Sequence, residues 1–241
     1  MKTIGYLFPL AVTLLTGCGL VEDWSEGDTE TRTIQITDKI ATIEVRNIFV
    51  VTLIQDDSSY LNVTCGENFQ AKMQIKMVDG VLVLDHNISH RWLYGYDKVK
   101  AEIHLGYLPA INVHNPAKIE TLGTFTSDSF YLIDWEDFSE CDVSIDVKSL
   151  KIETSDDHFG VFIVKGKSGK TEMSCRGSSR FDCSALETDT CYLSQESTVD
   201  LPINVNQLFD VTIKSSGNVY YSGNPTIKLT RWGSGELIKE N

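Results

Sequence analysis

The sequence predicts an all-β fold, a parallel β-helix wound in turns of about twenty residues behind a strand-rich N-terminal region. Three observations carry that reading. The apolar residues Val113, Ile133, Ile152, Met173, Leu193, Ile213 and Leu229 follow one another at separations of 20, 19, 21, 20, 20 and 16. The segments between them are rich in Val, Ile, Thr, Tyr and Phe in period-two alternation and are broken by Gly, Ser, Asn and Asp, the pattern of short strands and corners. No stretch sustains helical periodicity, which excludes repeats built from helix pairs. In such a coil each strand bonds to its equivalents one turn above and below, about 4.8 Å away, and inward side chains stack into ladders.

Residues 1–17 read as a lipoprotein signal peptide. Lys2 supplies the positive start, Ile4 to Leu15 the apolar run, and Leu15-Thr16-Gly17-Cys18 a bacterial lipobox ending in the acceptor cysteine. The apolar run is too short to span a bilayer, which takes about 20 apolar residues. Two acyl chains on Cys18 hold the mature chain at a membrane, each buried methylene contributing about 0.8 kcal/mol. The segment 18–31, with Glu22, Asp23, Glu26, Asp28 and Glu30 and few apolar residues, reads as a flexible tether.

A single domain follows over 32–241. Its first part, 32–107, contains strands at Thr33–Ile36, Ala41–Val45, Phe49–Ile54, Tyr60–Thr64, Ala71–Met77 and Val81–Leu84, with Asp79-Gly80 as a hairpin turn. Asp85 to Tyr96 is a polar and aromatic excursion, after which Val99–Leu105 resumes alternation. The regular coil and its cap occupy 108–241. Each of the first six turn-heading residues is followed by a corner and a second inward candidate: Ile119, Cys141, Phe159, Phe181, Val199 and Val219. Ile227 to Ile238 is short and polar-ended, as a terminal cap must be to protect the last row of backbone groups.

Composition narrows the function. The formal net charge is -13 and becomes -14 once residues 1–17, with Lys2 and no acid, are removed. Nucleic-acid binding needs clustered cations, and here they are scattered on an acidic chain. Beyond Cys18 there are five cysteines, Cys65, Cys141, Cys175, Cys183 and Cys191; they have no close Cys-x-x-Cys spacing for zinc and read as small buried hydrophobes. No cofactor is implied.

Two clusters could carry chemistry. Glu136-Asp137 and Asp156-Asp157 fall at equivalent corners of adjacent turns, where four acids could hold calcium, act as the carboxylate pair of a polysaccharide lyase or glycosidase, or simply be solvated. There is no Gly-x-Ser-x-Gly elbow, and His86, His90, His104, His114 and His158 have no motif partner. Trp92, Tyr94 and Tyr96 alternate in the excursion, so an extended segment would place the three rings on one face, as a ligand contact or as a lid over the end of the coil.

Several segments together resemble the head GIN domain, putative auto-transporter adhesin family of bacterial lipoproteins. They are Gly66-Glu67-Asn68-Phe69, Asp79-Gly80-Val81-Leu82-Val83-Leu84, the run Ser215-Ser216-Gly217-Asn218-Val219-Tyr220-Tyr221-Ser222-Gly223-Asn224-Pro225, and Gly233-Ser234-Gly235-Glu236-Leu237. The likeness spans about Thr33 to Leu237. It implies a right-handed parallel β-helix, export in a host-associated Gram-negative bacterium, often as a lipoprotein, and no assigned catalytic residue. The chain departs from the family where Ser-Gly corners are usual: Asn115-Pro116-Ala117, Trp135-Glu136-Asp137, Ser155-Asp156-Asp157 and Gln195-Glu196-Ser197 lack glycine, and only Arg176-Gly177-Ser178 and Ser216-Gly217-Asn218 keep it, which predicts that several corners are wider than the family norm. The combined expectation is a non-enzymatic, cell-envelope adhesin or binding scaffold for glycan or surface protein. It is held at the outer membrane by lipid on Cys18, facing either the periplasm or the exterior. A carbohydrate-active enzyme and a purely structural envelope protein are the alternatives.

Overall fold

The computed structural model describes residues 26–88, 99–135, 138–155 and 158–240. Eight short strands come first: β1 (Thr29–Gln35), β2 (Thr42–Val45), β3 (Val50–Gln55), β4 (Tyr60–Gly66), β5 (Met73–Val78), β6 (Val81–His86), β7 (Lys100–Leu105) and β8 (Ala110–Val113). The single-turn helix α1 (Glu67–Gln70) follows β4. Five long, bent strands form the coil: β9 (Lys118–Asp134), β10 (Glu140–Thr154), β11 (Val161–Gly177), β12 (Arg180–Ser197) and β13 (Leu201–Ile213). The short strands β14 (Val219–Ser222), β15 (Thr226–Arg231) and β16 (Leu237–Lys239) complete it. All belong to one sheet wound into a parallel β-solenoid of about 6 turns, as the periodicity predicts.

From β9 onward the turns stack in chain order, each strand parallel to the next. The N-terminal region does not. The turn made by β2 and β3 lies between β6–β7 on one side and β8–β9 on the other, although β6 and β7 come later in the chain than β2 and β3. Antiparallel strands then close that end: β4 pairs β7 and β1, and β5 pairs β6 through the Asp79-Gly80 turn, whose two residues both adopt positive φ. Strand β1 begins at Thr29, inside the segment read as tether, because its alternating threonines suit a strand. Its Thr31 hydroxyl lies 2.8 Å from that of Thr64.

A carboxylate pins the out-of-order turn. Glu44 on β2 accepts a hydrogen bond from Asn112 Nδ2 at 2.8 Å on β8, and lies 2.7 Å from His114 Nε2. Partial burial raises its pKa, but the hydrogen bonds from Asn112 and His114 outweigh burial and hold the carboxyl below its ordinary 4.5. The contribution is therefore full above that ordinary value and is lost as pH falls through the lower, folded one. Glu44→Gln is expected to cost about 1–2 kcal/mol at pH 7 and to flatten the loss of thermal stability below pH 4.5, read by circular dichroism. An unchanged acid limb would remove the carboxylate from this role.

The core consists of ladders running along the axis. Ile111, Leu132, Ile152, Met173, Leu193 and Val211 form one; Val51, Ile119, Cys141, Phe162 and Phe181 form another, with Leu201 and Val219 in the following turns. The Phe162 and Phe181 rings stack at 4.5 Å and 7°. These ladders correct the inward set read from sequence. Ile133 faces outward, and Leu132 takes its place; Phe159 is exposed and Phe162 is its inward counterpart; Leu201, not Val199, continues the Phe181 row. Val113 and Ile213 are buried, but on a second row shared with Asp134, Thr154, Cys175 and Gln195. Leu229 holds the inward phase yet is half exposed in the terminal turn.

Corner lengths differ along the coil: β9 ends at Asp134 and β10 starts at Glu140, β10 ends at Thr154 and β11 starts at Val161, whereas only Ser178 and Ser179 separate β11 from β12, and Gln195-Glu196-Ser197, read as a corner, is the end of β12. Register irregularities fall inside strands, one of them between Ile163 and Gly166. Gly166 has φ +102°, and a Cβ there would overlap the Ile145 carbonyl oxygen of the turn below. All five described cysteines are buried and unbridged. Burial pushes the thiols up, Cys65 to about 11 and Cys183 to about 12, which suits packing and not reactivity.

Candidate functional site

The residues singled out from sequence, Cys18, Trp92, Tyr94, Tyr96, Glu136, Asp137, Asp156 and Asp157, lie outside the described residues. The structure draws attention to what flanks the two acidic corners. Trp135 is 56% exposed, Phe138 62% and Phe159 52%. The Phe138 and Phe159 rings stack at 5.5 Å and 18° across successive turns. Leaving a Phe-sized side chain in water instead of burying it forgoes about 1.5–3 kcal/mol each. Grouped exposed aromatics therefore mark an interaction site more readily than scattered ones do. Beside them Ile48, Phe49, Pro116, Ala117, Lys118 and Phe138 line a groove of about 460 Å³, mostly apolar, with Glu140 at its margin.

The corners presenting these rings are fixed from beneath by a polar column. His158 Nε2 lies 2.8 Å from Asp134 Oδ2, and both side chains are sealed from solvent. The Gly160 N–H donates to His158 Nδ1 at 2.8 Å, so Nδ1 is the unprotonated nitrogen and Nε2 carries the proton, in close contact with Asp134 Oδ2 but out of hydrogen-bond alignment with it. The Ser179 hydroxyl lies 3.0 Å from the same Nδ1 and donates to the Arg176 carbonyl at 2.8 Å. Ser197 Oγ donates in turn to the Ser179 carbonyl, and the Gln195 amide to the Val199 carbonyl, each at 2.8 Å. Four successive corners are thus tied by side chains at the inner face of the edge.

Serine, histidine and aspartate in contact invite a catalytic reading, but the geometry gives a structural role. The serine hydroxyl is committed to a carbonyl of its own corner, and the three side chains are buried. A nucleophile must reach a substrate carbonyl, with donors waiting for the oxyanion. In the sequence His158 has no motif partner and Asp134 merely ends an apolar strand, because no local motif joins residues 134, 158 and 179.

The opposite bend of the coil carries a wider hollow of about 1050 Å³, with Lys39, Tyr107, Ser127, Asp128 and Lys148 on its walls. It is an open, polar trough: Lys148 and Asp128 form an exposed ion pair at 2.7 Å, and the Tyr107 hydroxyl is taken by the Ile40 N–H. The smaller aromatic groove is the better candidate because its lining is mostly apolar and the Phe138 ring beside it is exposed.

Residues 40–225 match the family described as putative auto-transporter adhesin, head GIN domain. The chain belongs to this family. Solved structures share the fold. A putative adhesin from Bacteroides fragilis superposes with TM-score 0.77 at 18% identity, covering 88% of this chain and 97% of that one. A second, described as a putative lipid binding protein from Parabacteroides distasonis, gives 0.64 at 17% identity, covering 89% and 98%. A putative adhesin from Parabacteroides merdae gives 0.59 at 15% identity, covering 89% and 97%. At such identities the likeness is one of fold. No curated protein matches the chain. As a head GIN domain the molecule carries a family description of adhesion, with which a binding surface and a non-enzymatic role agree.

Proposed function

We propose that this head GIN protein is a lipid-anchored, non-enzymatic adhesin of the outer membrane, binding surface protein or glycan through the aromatic edge at Trp135, Phe138 and Phe159. The observation that carries the reading is the stacked, solvent-exposed Phe138–Phe159 pair beside an apolar groove, mounted on corners that a buried polar column holds in place. Rigid aromatic side chains bind with little ordering cost, because each has only two torsions to fix. Trp92, Tyr94 and Tyr96 are assigned to the same work on sequence grounds, and lipid on Cys18 supplies the anchor. Many anchored copies act together, so individually weak contacts suffice.

The test is retention of bacteria displaying the protein on surfaces coated with mucin or extracellular-matrix protein. Trp135→Ser, Phe138→Ser and Phe159→Ser together are expected to cut retention at least tenfold while the purified domain keeps its thermal midpoint. Cys18→Ser is expected to move the protein from the membrane fraction to the soluble one. Retention equal to wild type in the triple variant would overturn the assignment of the edge.

A further inference from the structure

The outer surface of the coil carries a second feature, distinct from the aromatic edge. Because the turns are in register, outward residues also stack into rows along the axis. One row has small hydroxyl side chains, Ser174, Ser194, Thr212 and Thr230, on four consecutive turns. The row on one side of it is tall: Glu172, Tyr192, Asp210 and Lys228. The row on the other side is tall as well, Arg176 and Glu196 leading to Lys214 and Trp232. Short residues between tall ones make a trough with a hydroxyl floor, and a hollow of about 420 Å³ lies over Ser174, Ser194 and Thr212 on the Tyr192 side, reaching back to Lys151 and Glu153 one turn earlier.

The walls are aromatic and charged, but the charges are spent on each other. Lys214 pairs Glu196 at 2.7 Å, Lys228 pairs Asp210 at 3.9 Å, and Lys170 pairs Glu172 from the adjoining row. Ser194 Oγ donates to Glu196 at 2.8 Å, which fixes that carboxylate from the floor. Two rings remain available to a ligand: Tyr192, 40% exposed, on one wall and Trp232, 74% exposed, at the C-terminal end of the other. Lys170 lies 5.3 Å from the Tyr192 ring centre and Lys214 6.0 Å from that of Trp232, so cations steady both rings.

We infer that this trough is a binding site for a linear, uncharged oligosaccharide lying along the solenoid axis. Successive turns are about 4.8 Å apart, close to the length of one sugar residue in an extended chain. A repeating ligand can therefore meet a repeating set of hydroxyls, carboxylates and ammonium groups turn by turn. Sugar rings stack on Tyr192 and Trp232, and hydroxyls exchange hydrogen bonds with the floor and with ion pairs whose oxygens and nitrogens still have free capacity. A polyanion has no excess of cations to meet, and an apolar segment has no apolar floor. The inference names a ligand class for the scaffold proposed above, but it uses different residues, so the two stand or fall separately.

The experiment is calorimetric titration of the soluble domain, residues 26–241, with cello-, xylo-, manno- and chito-oligosaccharides (N-acetylated) of three to six residues, with oligogalacturonate as the charged control. At least one neutral series is expected to bind with affinity rising with length up to four residues, and to change tryptophan fluorescence through Trp232. Tyr192→Ala and Trp232→Ala are each expected to weaken that binding tenfold or more, and Ser194→Phe, which fills the floor and leaves the walls, to abolish it. Val78→Ser, an exposed position on β5 in the N-terminal region, is expected to leave it unchanged. Failure of every neutral series to bind, binding indifferent to Tyr192→Ala and Trp232→Ala, or preference for oligogalacturonate would overturn the inference. Loss of surface retention in the Phe138 variants with glycan binding intact, or the reverse, tells which of the two sites has failed.

Discussion

Replacing His158 with alanine is expected to lower the thermal midpoint of the domain by roughly 6–20 °C. That range follows from the cost of leaving a buried carboxylate without a polar neighbour, about 3–5 kcal/mol, with about 2–4 °C lost per kcal/mol in a domain of this size. The reason lies in what remains. Without the imidazole, the Asp134 carboxylate loses a partner 2.8 Å away while still enclosed between Val113 and Thr154. The Gly160 N–H and the Ser179 hydroxyl lose the nitrogen they both approach. Asp134→Asn keeps a polar neighbour beside Nε2–H and is expected to cost less. The pair Asp134→Leu with His158→Phe removes both polar groups, so it is expected to recover most of the loss, since apolar replacements of buried ion pairs are often neutral. A midpoint for His158→Ala within 2 °C of wild type would show that the column does not hold the corners. Surface retention is expected to fall with stability, because Phe159 follows His158 directly and Phe138 stacks on Phe159 from the turn before.

The same column explains where sequence reading went astray. Alternation identifies a strand from Tyr131 to Asp134 but not its phase, because Leu132 and Ile133 are both apolar and a shift of one residue exchanges the faces. Choosing Ile133 was natural when the inward alternative required burying Asp134. Only the partner, His158, 24 residues on, makes that burial tolerable. Phe159 lies seven residues after Ile152, a spacing like that between the two inward residues of the other turns, but β11 starts only at Val161 and its inward ring, Phe162, comes ten residues after Ile152. The period of the coil and the hairpin at Asp79-Gly80 were legible because each depends on local chemistry. The insertion of β2 and β3 between later turns was not, since pairing order is decided by contacts across 38 or more residues, as between Thr42 and Val81. The binding surfaces were hardest to see. Phe159 reads as an inward residue, no spacing singles out Phe138, and the trough exists only once Ser174, Ser194 and Thr212 are aligned by register.

Phe181→Ala is the second large effect, and it tests how the solenoid transmits damage. The ring is buried against Phe162 at 4.5 Å, and the following turn continues the row with Leu201. Removing it is expected to cost about 3–5 kcal/mol, near the upper end for a truncated aromatic. The cavity cannot collapse easily, because β11 and β13 are held one strand spacing to either side by their own hydrogen bonds to β12. Phe181→Leu, which conserves most of the volume, is expected to cost under about 1.5 kcal/mol. Each turn touches only its neighbours, so the loss need not spread through the whole molecule. Hydrogen exchange is expected to show amides from Arg180 to Lys239 losing protection together, while those of β2, β3, β8 and β9 keep theirs. Uniform loss along the chain would mean that the coil melts as one unit. The distinction bears on function: unravelling from the C-terminal end dismantles the trough at Ser194 and Trp232 while Phe138 and Phe159 stay mounted, so oligosaccharide binding is expected to fail at a lower temperature than surface retention.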